Sequence, residues 1–297
     1  MKIVYFSKGI RGSLCLEQIL NRGYTVCSVI GVVQEDEIDH LSEKYGFPIL
    51  FLDKINSPES VSQLKDLDPD LFILCGYNKI LKTPVIEIPP LGTINLHGGK
   101  LPEYRGAAPI NWQIINGETT GGCSIIYVDE GIDTGDIIAQ ERYPIEAEDT
   151  HASILERTLE IFPRLLVKVL EQIENGTVQA QKQDPKDGRY FSRRYPRDSK
   201  IDWTGMTDIQ IHNLVRGMYG PYPAAFTSKG DSKVEIDRTG LLDETITGIP
   251  GRVPEKRGNL VVVYAKNRGL VIQEISVDGT KMDPSAFFEV GDDLGKD

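Results

Sequence analysis

Residues 70–75 read DLFILC and residues 93–97 read TINLH. Five successive apolar residues after Asp70 fit a strand buried on both faces, the setting of a parallel sheet covered by helices. TINLH fits the next strand, ended by Gly98 and Gly99. Working outward, KIVYF at 2–6 opens the chain and a second apolar run covers 25–33. A helical pattern through Ile38, Leu41 and Tyr45 leads to a further run at 48–52. On the other side, runs at 123–128 and 137–140 complete the sheet. A helix follows over 152–175, kinked at Pro163 and closed by Gly176. Short β-branched runs alternating with amphipathic stretches predict an α/β fold, a Rossmann-like, mostly parallel sheet.

The pattern changes at residues 183–202, QDPKDGRYFSRRYPRDSKID, which are polar, locally basic and marked by Pro and Gly, as in a linker. Beyond them, runs at 251–263 and 270–277 between Gly, Asp and Asn residues predict short antiparallel strands and a small, OB-like β-barrel. The expected division is a first domain over 1–185, a linker over 186–203 and a β-rich domain over 204–297.

Hydrophobic residues make up 40% of the chain, enough for a large core or two unequal domains. Thirty-three Lys and Arg against 44 Asp and Glu give a net charge of −11, which opposes a nucleic-acid partner and favours a small-molecule substrate. Cys15, Cys27, Cys75 and Cys123 form no CxxC pair, so buried free thiols and no metal are expected. The first residues carry no signal-peptide pattern and no run approaches the roughly 20 apolar residues of a membrane span, which places the expected protein in the cytoplasm without a membrane partner. A homodimer stays open.

Side chains alternate along a strand, so Asn95 and His97 face the same way, about 6–7 Å apart, at the carboxyl end where open α/β sheets hold their ligands. That pairing suggests a site. Asp133, taken alone within DEGIDTGD, reads as a turn cap. The first strand is followed by SKGIRGS, which lacks the GxGxxG of a dinucleotide site.

Residues 95–109, NLHGGKLPEYRGAAP, and 127–138, YVDEGIDTGDII, resemble the signature segments of the 10-formyltetrahydrofolate-dependent formyltransferases. RYFSRRYPRDSKIDW, PYPAAF and the β-rich tail extend the resemblance to the linker and C-terminal domain of two-domain members. The resemblance implies N-formyl transfer from 10-formyltetrahydrofolate, with Asn95, His97 and Asp133 as the catalytic trio. An amide N–H suits a developing oxyanion, an imidazole can move a proton near neutral pH, and an acid can orient the ring. By the same resemblance the folate lies along Lys79, Ile80 and Leu81, under a loop of Asp129, Glu130, Gly131 and Ile132. Lys100, Tyr104 and Arg105 are candidates for the second substrate, with loop support as an equal role for Arg105.

The acceptor is read from departures. Members acting on tRNA carry a basic, Gly-rich insertion after the second strand, where this chain has QEDEIDH at 34–40. The linker and tail look more like those of the UDP-4-amino-4-deoxy-arabinose formyltransferases of lipopolysaccharide biosynthesis and related enzymes. The expectation is therefore a nucleotide-linked amino sugar, its diphosphate met by Lys100, Arg105, Arg189, Arg193 and Arg194. Methionyl-tRNA formyltransferase is the alternative, and a non-catalytic nucleotide- or folate-binding module is a reading of another class. Gly99 and Lys100 stand where the family often has Ser-Leu, and Ala107 where the arabinose enzyme has Arg.

Overall fold

The computed structural model describes residues 1–220 and 222–296. Its first elements alternate as expected: β1 (Lys2–Ser7), α1 (Ile10–Asn21), β2 (Thr25–Gly31), α2 (Asp36–Tyr45), β3 (Ile49–Phe51), α3 (Pro58–Asp66), β4 (Leu71–Cys75), α4 (Thr83–Ile86) and β5 (Thr93–His97). Then come β6 (Arg105–Gly106), α5 (Pro109–Ile115), β7 (Thr120–Tyr127), β8 (Ile137–Pro144), α6 (His151–Glu174) and β9 (Tyr190–Phe191). Local chemistry sets the ends. Ser57 caps α3 by accepting from the Ser60 amide, with Pro58 in the first turn, and Gly46 closes α2 in the left-handed conformation.

Seven strands form one sheet in the order β3-β2-β1-β4-β5-β7-β8. The pairs β1–β2, β2–β3, β1–β4 and β4–β5 are parallel, and β5–β7 is antiparallel. All five residues of β4 are buried, which is why DLFILC carries no alternation. One face packs Val4, Phe6, Phe72 and Leu74 against Leu64 of α3 and Val85 of α4. Helix α6 runs on through Pro163. Among the described residues, no helix is long and apolar enough to cross a membrane.

The C-terminal elements are α7 (Asp208–Met218), β10 (Ala225–Lys229), β11 (Ser232–Leu241), β12 (Glu255–Arg257), β13 (Leu260–Tyr264), β14 (Gly269–Val277), β15 (Thr280–Met282) and α8 (Pro284–Phe287). The strands form an antiparallel sheet, β10-β11-β14-β13-β12, with β15 on β14. The run at 251–263 is thus two strands about a turn at Gly258, where φ is 62°. Helix α7 is an addition to the expected all-strand tail. It starts at a capping box, with Thr207 accepting from the Gln210 amide and Gln210 accepting from the Thr207 amide.

The chain divides into two compact units interleaved in sequence. Met1–Gly106, Gly121–Tyr143 and Glu156–Phe191 form the first, and Ala107–Thr120, Pro144–Leu155 and the residues from Ser192 onward form the second. A single cut does not describe this, because 107–120 and 144–155 pack with the C-terminal elements. Asn111 of α5 donates to the Gly217 carbonyl at 2.7 Å, and a Cβ on Gly217 would lie 2.8 Å from Ile115. Only a glycine allows α5 and α7 to come this close.

Candidate active site

Asn95 is the one partly exposed residue of β5, while His97 is 5% exposed. The structure brings Asp133 to both. Asn95 Nδ2 lies 3.4 Å from Asp133 Oδ1, and His97 Nδ1 lies 3.4 Å from Asp133 Oδ2. The stronger contact of the imidazole is on its other side, where Nε2 meets the Tyr104 carbonyl at 2.6 Å. A carbonyl oxygen only accepts, so Nε2 carries hydrogen and Nδ1 is the ring nitrogen left for proton exchange. The ring is thus oriented by a backbone carbonyl that no residue pattern announces, and Asp133 stands where it can accept from Nδ1 once that nitrogen takes up a proton.

Asp133 does not cap the turn in which it sits; Asp129 does, accepting from the Gly131 amide at 3.0 Å and the Thr134 hydroxyl at 2.6 Å. Asp133 itself has φ 53°, a left-handed conformation that costs a non-glycine residue free energy and is common at functional positions. Three hydrogen bonds hold this turn. Asp133 Oδ2 accepts from the Gly106 amide at 2.8 Å, its carbonyl accepts from Gln183 Nε2 at 2.9 Å, and the same Nε2 donates to the Gly135 carbonyl at 2.7 Å.

Gln183 is the residue that sequence reasoning missed. It lies at the start of the polar stretch read as a linker, and its Oε1 accepts from Arg105 Nε and Nη2 at 3.1 and 2.8 Å. Nearby, β9 pairs with β6, and the Phe191 ring stacks on Tyr104 with centroids 4.7 Å apart. Residues 183–191 thus build the outer wall of the His97 loop. A lone Gln in a run without periodicity gives no signal in a single sequence.

Several expected ligand contacts need correction. Tyr104 is 1% and Arg105 2% exposed. Tyr104 serves through its carbonyl, and Arg105 supports the loop through Gln183 and lies over the Tyr190 ring, so neither side chain is presented to a substrate. Leu81, 4% exposed, belongs to the core. Lys79 is tied to the Leu52 and Asp53 carbonyls. Lys100 is mostly buried, 4.0 Å from Glu103. In the second unit, Arg194 lies over Trp112 and donates to the Asp198 carbonyl, and Arg193 lies over Tyr195, so both guanidinium groups are held by neutral contacts.

Two of the expected folate segments do meet. Thr83, at the start of α4, donates to Glu130, which ties the 129–132 loop beside residues 79–83. Ile80 and Ile132, one on each segment, remain 68% and 51% exposed. Ile80, with Lys79, Lys82 and residues 53–57, lines an open hollow of about 450 Å³.

A mostly parallel sheet with Asn, His and Asp gathered at the carboxyl end of β5, followed by an antiparallel C-terminal sheet, defines a two-unit α/β protein with a polar site at a strand end. The formyl transferase family matches the chain over residues 33–170, and the formyl transferase C-terminal domain over residues 194–290. The chain is 32% identical to the methionyl-tRNA formyltransferase of Ruminiclostridium cellulolyticum, over 95% of this chain and 93% of that protein. It is 37% identical to the methionyl-tRNA formyltransferase of Fusobacterium nucleatum subsp. nucleatum, over 81% and 82%. Its fold is similar to that of an N-formyltransferase from Helicobacter canadensis solved with folinic acid and dTDP-3-aminofucose, with a TM-score of 0.69, 22% identity, and coverage of 91% and 97%. The chain belongs to the formyl transferase family and is a formyltransferase. The sequence relatives carry the name that the residue reading held as its alternative.

Proposed function

We propose that the chain transfers the formyl group of 10-formyltetrahydrofolate to an amine at the Asn95–His97–Asp133 centre. The observation that carries this is the placement of one carboxylate against both Asn95 and His97, beside a loop pair with unfilled apolar side chains. When bound, the folate supplies an activated formyl group, and Ile80 and Ile132 offer its ring system an apolar contact. The Asn95 amide donates to the formyl oxygen as negative charge develops there. His97 Nδ1 takes the proton lost by the amine, and the Tyr104 carbonyl and Asp133 hold the ring.

For the acceptor, the first reading is the amino group of methionyl-tRNA. Identity of 32% and 37% to methionyl-tRNA formyltransferases, spread along most of the chain, supports it. A second reading, a nucleotide-linked amino sugar, is favoured by a specific observation. The β2–α2 turn has only four residues, 32–35, it leads into Asp36, Glu37 and Asp39, and the Glu35 carboxylate is bound to the Gly9 amide at 2.8 and 3.0 Å. A short acidic turn on a chain of net charge −11 opposes a polyanion, whose affinity comes largely from phosphate contacts.

The test is formylation of charged initiator tRNA and of a panel of UDP-, dTDP- and GDP-linked amino sugars at rising salt. Turnover of tRNA that falls steeply with salt supports the first reading. Turnover of a sugar with a mild salt response supports the second. Formylation of none of them, with intact folate and folded protein, contradicts both.

A further inference from the structure

The loop after β7 is held at both ends. The Val128 amide donates to the Thr93 carbonyl at 2.8 Å, and the Tyr127 amide to the Asp136 carbonyl at 2.9 Å. Farther along, Gln183 and the Gly106 amide hold residues 133–135. Between these anchors Glu130, Gly131 and Ile132 are all exposed. Asp129 braces the turn only from within, through Gly131 and Thr134. Among the described residues, one hydrogen bond joins residues 130–132 to another part of the chain, from the Thr83 hydroxyl to the Glu130 carboxylate.

The Thr83 side of that bond is firmly built. Helix α4 buries Val85 and Ile86, and the Ile86 carbonyl accepts from the Thr93 hydroxyl of β5 at 2.8 Å. Asn56 braces the segment before it, donating to the Ile80 carbonyl at 2.9 Å and accepting from the Lys82 amide at 2.8 Å. A rigid post therefore faces an exposed loop tip across a single side-chain bond. Such a bond near solvent adds little to the stability of the fold, because water competes for both partners. What it controls is local: how often the tip leaves the 79–83 segment, the kind of opening that governs exchange of a covered ligand.

We propose that Thr83 is a positioning residue that latches the 129–132 loop against residues 79–83 and so sets the rate at which bound folate is released. The proposal deepens the reading of these two segments as the folate site and rests on it. Surface plasmon resonance on the full chain follows release of 5-formyltetrahydrofolate, a probe that needs no amine, so the identity of the acceptor does not enter. Thr83→Val, which keeps the side-chain shape without the hydroxyl, should release the probe roughly fivefold faster, the worth of one ordinary hydrogen bond, at an unchanged melting temperature. Thr83→Ser restores the donor and should release it at the wild-type rate. Glu130→Ala should match Thr83→Val, and the double variant should be no faster than either single one, since each partner acts through the other. The latch is overturned if Thr83→Val releases the probe at the wild-type rate, if Thr83→Ser is as fast as Thr83→Val, or if the two substitutions add. Wild-type protein that does not bind the probe overturns the folate-site reading itself, and the latch with it.

Discussion

Replacing Gln183 tests how the active-site loops are held. Gln183→Leu removes four hydrogen bonds, two from the Arg105 guanidinium and one each to the Asp133 and Gly135 carbonyls. Arg105 is 2% exposed, so its released Nε and Nη2 donors cannot turn to water, while Nη1 keeps its 3.5 Å contact to the Tyr190 hydroxyl. Unsatisfied buried groups cost about 1–3 kcal/mol each and charged ones more, partly offset by the apolar leucine, for a net loss of about 3–5 kcal/mol. At this chain length that lowers the melting temperature by roughly 5–8 °C. Asp133 also loses one of the contacts that hold it at φ 53°. A shift on the order of 1 Å there costs about 10²-fold in turnover. Gln183→Glu separates the two effects. Its carboxylate still accepts from Arg105 but cannot donate to the two carbonyls, so the melting temperature recovers while turnover stays low. Scanning calorimetry and a formyl-transfer assay on both variants decide it. A leucine variant with wild-type stability and turnover, or a glutamate variant with full turnover, would refute the reasoning.

Asp208 provides a pH test. Burial pushes its carboxyl up, but hydrogen bonds from Asn267, Arg268 and the Ile209 amide outweigh that and hold it below the ordinary carboxylate value. A depressed folded-state value gives stability that is present at neutral pH and lost as pH falls below about 4. Asp208→Ala should thus lose about 3 kcal/mol at pH 7, with the gap to wild type narrowing on acidification; a constant gap from pH 7 to 3 would contradict it. Gly135→Ala places a Cβ 1.8 Å from the Tyr127 carbonyl, at the base of the Asp133 loop. It should cost about 2 kcal/mol by chemical denaturation and lower turnover beyond that loss, and an unchanged variant would show that the loop yields freely.

Much of the first unit is legible because buried parallel strands have one physical signature. DLFILC and KIVYF are apolar without alternation, TINLH alternates polar with apolar side chains, and each is a strand of the central sheet. Asn95 and His97 stand out because polar side chains at a buried strand end need a reason. What a single sequence hides is contact across distance. Gln183 and the Tyr104 carbonyl act on His97 and Asp133 through geometry that no periodicity records. The burial of Tyr104 and Arg105 depends on a strand pair, β6–β9, whose members are 85 residues apart. Helix α7 has a legible start, since Thr207 and Gln210 spell a capping box, although the strand runs at 251–263 and 270–277 dominate the pattern of the tail. The acceptor is least legible, because the acidic turn after β2 and the overall identity to tRNA-dependent relatives point in different directions.

The most direct test of the central claim is the single-turnover conversion of 10-formyltetrahydrofolate to tetrahydrofolate with formylation of the amine, measured for wild type, Asn95→Ala, His97→Ala and Asp133→Asn. The acceptor is whichever one the substrate panel identifies, and circular dichroism confirms folding. The account predicts wild-type conversion dependent on the amine and a loss of about 10²–10³-fold or more in each variant, with folate binding retained. A folded His97→Ala or Asn95→Ala protein that transfers formyl at near the wild-type rate would contradict it.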